Sequence, residues 1–121
     1  MSGAADLAVD LFSALGPIRI RRLFGGAGIY LDDRMFGHIA DEIIHIKVDD
    51  AMKVELAELG SGPFEYVARR KSVAGAKIDL GYWRLPDGAL DDPEEAADWG
   101  RRALVVAQAK AKPPRKKAAK R

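Results

Sequence analysis

The sequence predicts an α+β fold in a single domain, with one antiparallel sheet and helices at the start, middle and end of the chain. Three stretches repeat apolar residues at three- and four-residue spacing, which is typical of helices packed on one side. Between them, short apolar runs alternate with charged residues and stop at acidic or glycine-containing turns, which is typical of strands. The 121 residues, 48% of them hydrophobic, suffice for one modest core and leave no room for a second domain.

The first helix is predicted from Ala4 to Leu15 and ends at Gly16 and Pro17, because proline cannot continue a helix. Residues 18–24 are predicted to form a strand in which apolar residues alternate with arginines. We expect these arginines to point towards solvent. They are Arg19, Arg21 and Arg22.

Two hairpins are predicted next, with turns at Asp32-Asp33 and Asp41-Glu42. A two-residue loop in the first hairpin pairs Leu31 with Arg34, Tyr30 with Met35, Ile29 with Phe36 and Gly28 with Gly37, and the second hairpin pairs Ile39 with Ile44, His38 with His45 and Gly37 with Ile46. The expected core face carries Tyr30, Met35, Ile39, Ile44, Ile46 and Val48. The opposite face carries Ile29, Leu31, Arg34, Phe36, His38, Ile43, His45 and Lys47. We expect this mixed face to be partly covered by a helix or another subunit, and Gly28 opposite Gly37 to leave a notch.

The second half of the chain continues the alternation of helix and strand. A helix over residues 50–59 is predicted to begin at a cap formed by Asp49 or Asp50 and to end at Gly60. Short strands are predicted over residues 64–67 and 82–85, separated by a basic loop over residues 68–81. The last helix is predicted to start at Asp92-Pro93 and to run to about Ala109.

Charge is divided unevenly along the chain. Residues 1–109 hold 13 Lys and Arg and all 18 Asp and Glu, whereas residues 110–121 hold seven Lys and Arg and no acid. We therefore predict a domain over residues 1–109 and a disordered basic tail over residues 110–121. Zero cysteines, an N-terminal segment without a basic start and the lack of a long apolar run predict a cytoplasmic protein with no membrane contact.

Candidate catalytic groups have structural explanations. The acidic pairs at 32–33, 41–42 and 49–50 lie where turns and helix caps favour acids. The Gly25-Gly26-Ala27-Gly28 run leads into a strand, whereas a phosphate loop leads into a helix. His38 opposite His45 supplies two potential metal ligands, but a site needs a third. We therefore predict no enzyme activity, no metal and no cofactor.

The basic tail is the candidate nucleic-acid contact, because clustered cations on a flexible segment suit phosphate backbones. A terminus that only improves solubility is an equally good explanation of the composition. The residues concerned are Lys110, Lys112, Arg115, Lys116, Lys117, Lys120 and Arg121.

Four blocks in order carry a family resemblance: LFGGAGIYLDDRMFGHIADEIIHIKVD at 23–49, GSGPFEY at 60–66, GYWRLP at 81–86 and LDDPEEAADWGRRAL at 90–104. Together they resemble the TfoX/Sxy N-terminal domain family, regulators of competence genes. The resemblance implies an α+β domain in the manner of type III secretion-chaperone-like folds. The full-length regulators carry a second, C-terminal domain, whereas this chain has the basic tail there.

The resemblance implies no catalytic residues and supports a regulatory role. The expected function is transcription regulation through a protein partner, with non-specific nucleic-acid contact through the tail. The alternative is a homodimeric protein-interaction module with no nucleic-acid role.

Overall fold

The computed structural model describes residues 3–23, 26–67 and 77–110. These residues form three α-helices and a six-stranded antiparallel sheet, so the predicted α+β class is confirmed. The elements in chain order are α1 (Gly3–Leu11), β1 (Ile18–Leu23), β2 (Gly26–Leu31), β3 (Arg34–Ala40), β4 (Ile43–Lys47), α2 (Asp50–Glu58), β5 (Pro63–Val67), β6 (Lys77–Arg84) and α3 (Pro93–Lys110). The strand order is β1-β2-β3-β4-β6-β5. No helix in this part of the chain has the length and apolar character to cross a membrane.

Acidic side chains start the second and third helices. The Asp49 carboxylate accepts a hydrogen bond from the Met52 amide at 2.9 Å, which satisfies a free N–H group at the start of α2. Asp92 accepts from the amides of Glu94 and Glu95 at 3.1 and 3.3 Å at the start of α3. The predicted caps are confirmed, and Asp49 rather than Asp50 caps α2.

The other acidic pairs lie in the hairpin turns, as predicted. Asp32, Asp41 and Glu42 have φ angles of 55°, 53° and 62°, in the left-handed region that tight hairpin turns need. The Glu42 carboxylate also accepts a hydrogen bond from the Ala4 amide at 3.1 Å, so this turn holds the first residues of α1. These carboxylates therefore have structural roles.

The register of the first hairpin differs from the prediction. Leu31 pairs with Arg34 and Tyr30 with Met35 as expected, but a bulge follows and Ile29 pairs with Gly37 instead of Phe36. Gly28 consequently faces His38, and the predicted notch of two opposed glycines is wrong. A Cβ at Gly28 would lie 2.8 Å from a ring carbon of Tyr30, so side chains already fill this space. The second hairpin has the predicted register, with His38 opposite His45.

The bulge changes which side chains are buried. Ile29 and Phe36 are fully buried with Ile39, Ile44 and Ile46, so the prediction that placed Ile29 and Phe36 on the opposite face is wrong. An extra residue in one strand reverses the alternation of faces beyond it. Tyr30 and Met35, which were predicted for the core face, are only partly buried.

The helices cover one face of the sheet, which is the core face. The Phe12 ring beyond α1 meets Phe36 of β3 edge-on, with centroids 5.2 Å apart. Met52 and Leu56 of α2 belong to the same buried cluster. Arg102 of α3 binds Glu55 of α2 through two hydrogen bonds of 2.9 and 2.6 Å, which ties the two helices together at the surface.

The predicted loop over residues 68–81 is too long, because β6 begins at Lys77 and pairs with β5. The remainder of that loop, residues 68–76, lies outside the described residues. Residues 111–121 of the predicted basic tail also lie outside them. Lys110, the first tail residue, is the last residue of α3.

Candidate binding face of the sheet

The sheet face opposite the helices is the candidate site, and we call it the open face. Strand alternation and cross-strand pairing place cationic and aromatic side chains on it together. Its described residues are Arg19, Arg21, Tyr30, Met35, His38, His45, Lys47, Phe64, Tyr82 and Arg84. None of the helices in the described part of the chain contributes to the core from this side.

Two cations of the open face lie over aromatic rings. The Arg21 guanidinium carbon is 5.5 Å from the centre of the Tyr30 ring. The Lys47 ammonium nitrogen is 5.4 Å from the centre of the Tyr82 ring. Cations at such distances are attracted by the negative faces of the rings. The open face therefore presents positive charge directly beside π surfaces.

One cross-strand row runs across five strands of the open face. It reads Arg21, Gly28, His38, His45 and Arg84 from β1 to β6. With strands about 4.8 Å apart, the row is roughly 19 Å long. An arginine stands at each end, and two histidines lie in the middle.

The two histidines form an aromatic cluster with Phe64. The His38 and His45 ring centroids are 5.8 Å apart, and the Phe64 centroid lies 4.8 Å from His38 and 4.9 Å from His45. The Tyr82 ring lies 5.8 Å from His38. This packing leaves His45 only 3% exposed. Nδ1 of His45 lies 3.3 Å from the backbone carbonyl oxygen of His38.

Burial keeps both imidazoles neutral at neutral pH. Burial lowers the pKa of His45 to about 4, with smaller contributions in the same direction from His38 and Arg84. Burial also lowers the pKa of His38. The positive charge of the open face at neutral pH therefore comes from its arginines and its lysine, and the histidines do not contribute to it.

The histidine pair does not assemble a metal site from the described residues. No third histidine, aspartate or glutamate of residues 3–23, 26–67 or 77–110 lies close enough to complete one. Nδ1 of His38 is buried and has no hydrogen-bond partner within those residues. The pair is best described as part of the packing beneath the open face.

A surface cleft of about 430 Å³ lies apart from the histidines, where α1 meets β4 and the end of β6. Its lining is largely apolar and includes Leu7, Ile43 and Leu90. Ile43 and Leu90 are 43% and 36% exposed. The cleft therefore exposes apolar side chains to solvent.

The sequence indicated part of the open face. It placed the outward arginines of β1 and the pairing of His38 with His45 correctly. It missed Tyr30, which it assigned to the core, and Phe64, which reaches the histidines from β5. The bulge that moves Tyr30 has no sequence signature, since Phe36-Gly37 fits either register. The contact of Phe64 with the histidines depends on the pairing of β5 with β6 at the edge of the sheet, which the sequence does not reveal.

The family comparison agrees with this architecture. The sequence profile described as the TfoX N-terminal domain matches residues 10–107. A search of curated proteins found no match. The matched range runs from the end of α1 to the last turns of α3 and includes every strand. The chain therefore belongs to the TfoX N-terminal domain family.

Proposed function

We propose that this chain is a non-enzymatic regulatory protein that acts by protein binding and contacts nucleic acid non-specifically through Lys110–Arg121. The TfoX N-terminal domain is not a known enzyme family. One observation carries the proposal, namely the separation of charge within the chain. The twelve residues from 110 to 121 hold seven cations and no acid, whereas residues 1–109 have a net charge of −5. An acidic body disfavours phosphate and a basic tail attracts it, so we assign non-specific contact to the tail.

The test is duplex DNA binding over a salt series. The full chain is compared with a full-length variant in which the seven tail cations are glutamines, so that no segment is removed. If all seven cations contact phosphates, the slope of log affinity against log salt is about −6. The variant is expected to lose most of that slope. An affinity and a slope unchanged by the seven substitutions would remove the tail from the proposal.

The second candidate function is a homodimeric protein-interaction module with no nucleic-acid role. The exposed Ile43 and Leu90 beside the apolar cleft favour it. Sedimentation of the full chain at micromolar concentration tests this, with Ile43→Lys as the variant expected to dissociate a dimer. A monomer at all concentrations would exclude this candidate, and a dimer that Ile43→Lys leaves intact would place its interface elsewhere.

A further inference from the structure

We propose that the open face is a binding site for single-stranded nucleic acid, with bases against Tyr30 and Tyr82 and phosphates at Arg19, Arg21, Lys47 and Arg84. This site is on the folded domain and is separate from the tail. It needs neither the tail nor a protein partner. The proposal rests on the charge, the aromatic rings and the shape of this face.

Charge on the four strands β1 to β4 is of one sign. The four strands β1, β2, β3 and β4 contain four arginines and one lysine, and they contain no aspartate or glutamate. Two acids, Glu65 and Asp79, belong to β5 and β6 at the other edge of the sheet, and others lie in α1, α2 and the hairpin turns. A polyanion is therefore attracted to strands β1 to β4 although the domain as a whole is acidic.

The aromatic residues of the open face supply surfaces on which bases can stack. Sequence-tolerant single-strand binders place aromatic rings, on which bases stack, beside cations that track the backbone. Arg21 over Tyr30 and Lys47 over Tyr82 are two such pairs, and the strand registers place both tyrosines on the same side of the row that contains the histidines. Both tyrosines are partly exposed, so a base can reach them.

The shape favours a single strand over a duplex. A duplex keeps its bases stacked inside, and proteins read it with an element that enters a groove. The described part of the open face is a sheet surface with no helix on it. A single strand can instead lay unstacked bases on a sheet and extend its backbone over the roughly 19 Å that separates Arg21 from Arg84.

The same charge argues against a second copy of the chain on this face. In a two-fold dimer, identical surfaces meet. Arg19 and Arg21, both exposed, would then face the arginines of the partner across the interface. Like charges brought together in this way cost free energy. Nucleic acid supplies the opposite charge and is the better occupant.

Binding of labelled oligothymidylate of about 12 nucleotides tests the proposal, because that length is within the range of sheet-based single-strand sites. All proteins are full-length and carry the seven glutamines in the tail, so that the tail cannot mask the result. The test variant is Arg19→Gln with Arg21→Gln. The matched control is Lys53→Gln with Arg101→Gln, which removes the same charge from a partly buried position on α2 and an exposed position on α3.

We expect the Arg19→Gln/Arg21→Gln variant to bind at least about fivefold more weakly than the control. Its slope of log affinity against log salt should be less steep by about 1.4, because each lost phosphate contact on a single strand removes about 0.7. Tyr30→Leu should also weaken binding by at least about fivefold, whereas Tyr30→Phe should keep it, since the phenyl ring retains the stacking surface. Circular dichroism confirms that each variant is folded.

Resonance mapping gives an independent readout. Titration of the tail-substituted protein with oligothymidylate should shift amide signals of β1, β2 and β4 and the ring signals of Tyr30 and Tyr82. Equal binding by the test and control variants, or shifts confined to the helices, would overturn the proposal. Tighter binding of duplex than of the single strand would overturn it too. If the seven tail substitutions do not change duplex binding, the proposed role of the tail is wrong. The proposal for the open face is then still supported by single-strand binding that depends on Arg19 and Arg21.

Discussion

His45 is the buried polar residue of the described core, and its environment has a consequence for stability. Its ring is packed by His38 and Phe64, and its Nδ1 atom lies 3.3 Å from the backbone carbonyl oxygen of His38. A proton on this ring would put a charge among apolar groups and beside Arg84. Burial therefore favours the neutral form in the folded state.

We expect the free energy of unfolding to fall as the pH decreases from about 6.5 to about 4. The unfolded state binds a proton near the ordinary pKa of 6.5, whereas the folded state binds it only near 4. In that window the unfolded state holds more protons and is favoured. Above pH 6.5 both states are neutral and His45 has no such effect. The loss from this residue approaches about 3 kcal/mol at pH 4. Urea unfolding at a series of pH values measures it.

The control is His45→Gln, which has no titrating ring. Carboxylates contribute to the pH dependence of both proteins, and so does His38, so only the difference between the two curves reports on His45. That difference should shrink as the pH falls. Parallel curves from pH 7 to pH 4 would contradict the burial of a neutral imidazole at this position.

Gly37 is required by close packing at the bulge. A Cβ at this position would lie 2.9 Å from the carbonyl oxygen of His45 and 3.0 Å from Cδ1 of Ile29. The oxygen belongs to the neighbouring strand and cannot move without disturbing the sheet. We expect Gly37→Ala to lower the free energy of unfolding by about 1–3 kcal/mol, as overpacking does.

Gly88→Ala is the matched control for Gly37→Ala. Its Cβ would lie 3.7 Å from a carboxylate oxygen of Glu95, which is an ordinary contact. Chemical denaturation of both variants compares the two positions. Equal stability would show that the sheet accommodates a methyl group at the bulge.

At the scale of the elements, the start of α2 depends on one side chain. Asp49 accepts the Met52 amide, and α2 has only nine residues. Helices this short are marginal on their own and rely on caps and packing. We expect Asp49→Ala to lower the free energy of unfolding by about 1 kcal/mol.

Asp50→Ala is the control, because it removes the same charge from the same turn and leaves the cap. A loss as large for Asp50→Ala would mean that charge near the helix terminus, and not the hydrogen bond, stabilises α2.

The elements also explain why the two faces of the sheet differ. The bulge between β2 and β3 lets Phe36 reach Phe12 while His38 stays opposite His45. Without it, Phe36 and His38 would lie on one face, as regular alternation requires. A single extra residue therefore separates the buried apolar side of the sheet from its cationic side.

At the scale of the whole molecule, charge and packing have different distributions. The buried cluster draws on all three helices and the sheet, from Ala4 to Ala107. Acids are concentrated in helices, caps and turns, and the sheet from β1 to β4 carries only cations. This arrangement gives the open face its positive charge while the other face supplies the core.

The shared core predicts a single unfolding transition. Trp83 of β6 packs against the core cluster and Trp99 of α3 is 6% exposed within it. In Trp83→Phe and in Trp99→Phe, the remaining tryptophan reports on one layer of the fold. In each variant we expect its fluorescence midpoint in urea to coincide with the far-ultraviolet circular dichroism midpoint. Separated midpoints in either variant would show that the sheet and the helices unfold independently.

The sequence by itself determined the α+β class, the cap at Asp92, a cap for α2 at Asp49 or Asp50, the acidic turns, the second hairpin and the family. These features depend on local chemistry, because caps, turns and hairpin registers are set by neighbours in the chain. Only the tertiary structure decided where the bulge falls, that Tyr30 leaves the core, and that Phe64 lies against both histidines. Those outcomes depend on how side chains from distant elements pack together in one core. Local sequence patterns do not specify that packing.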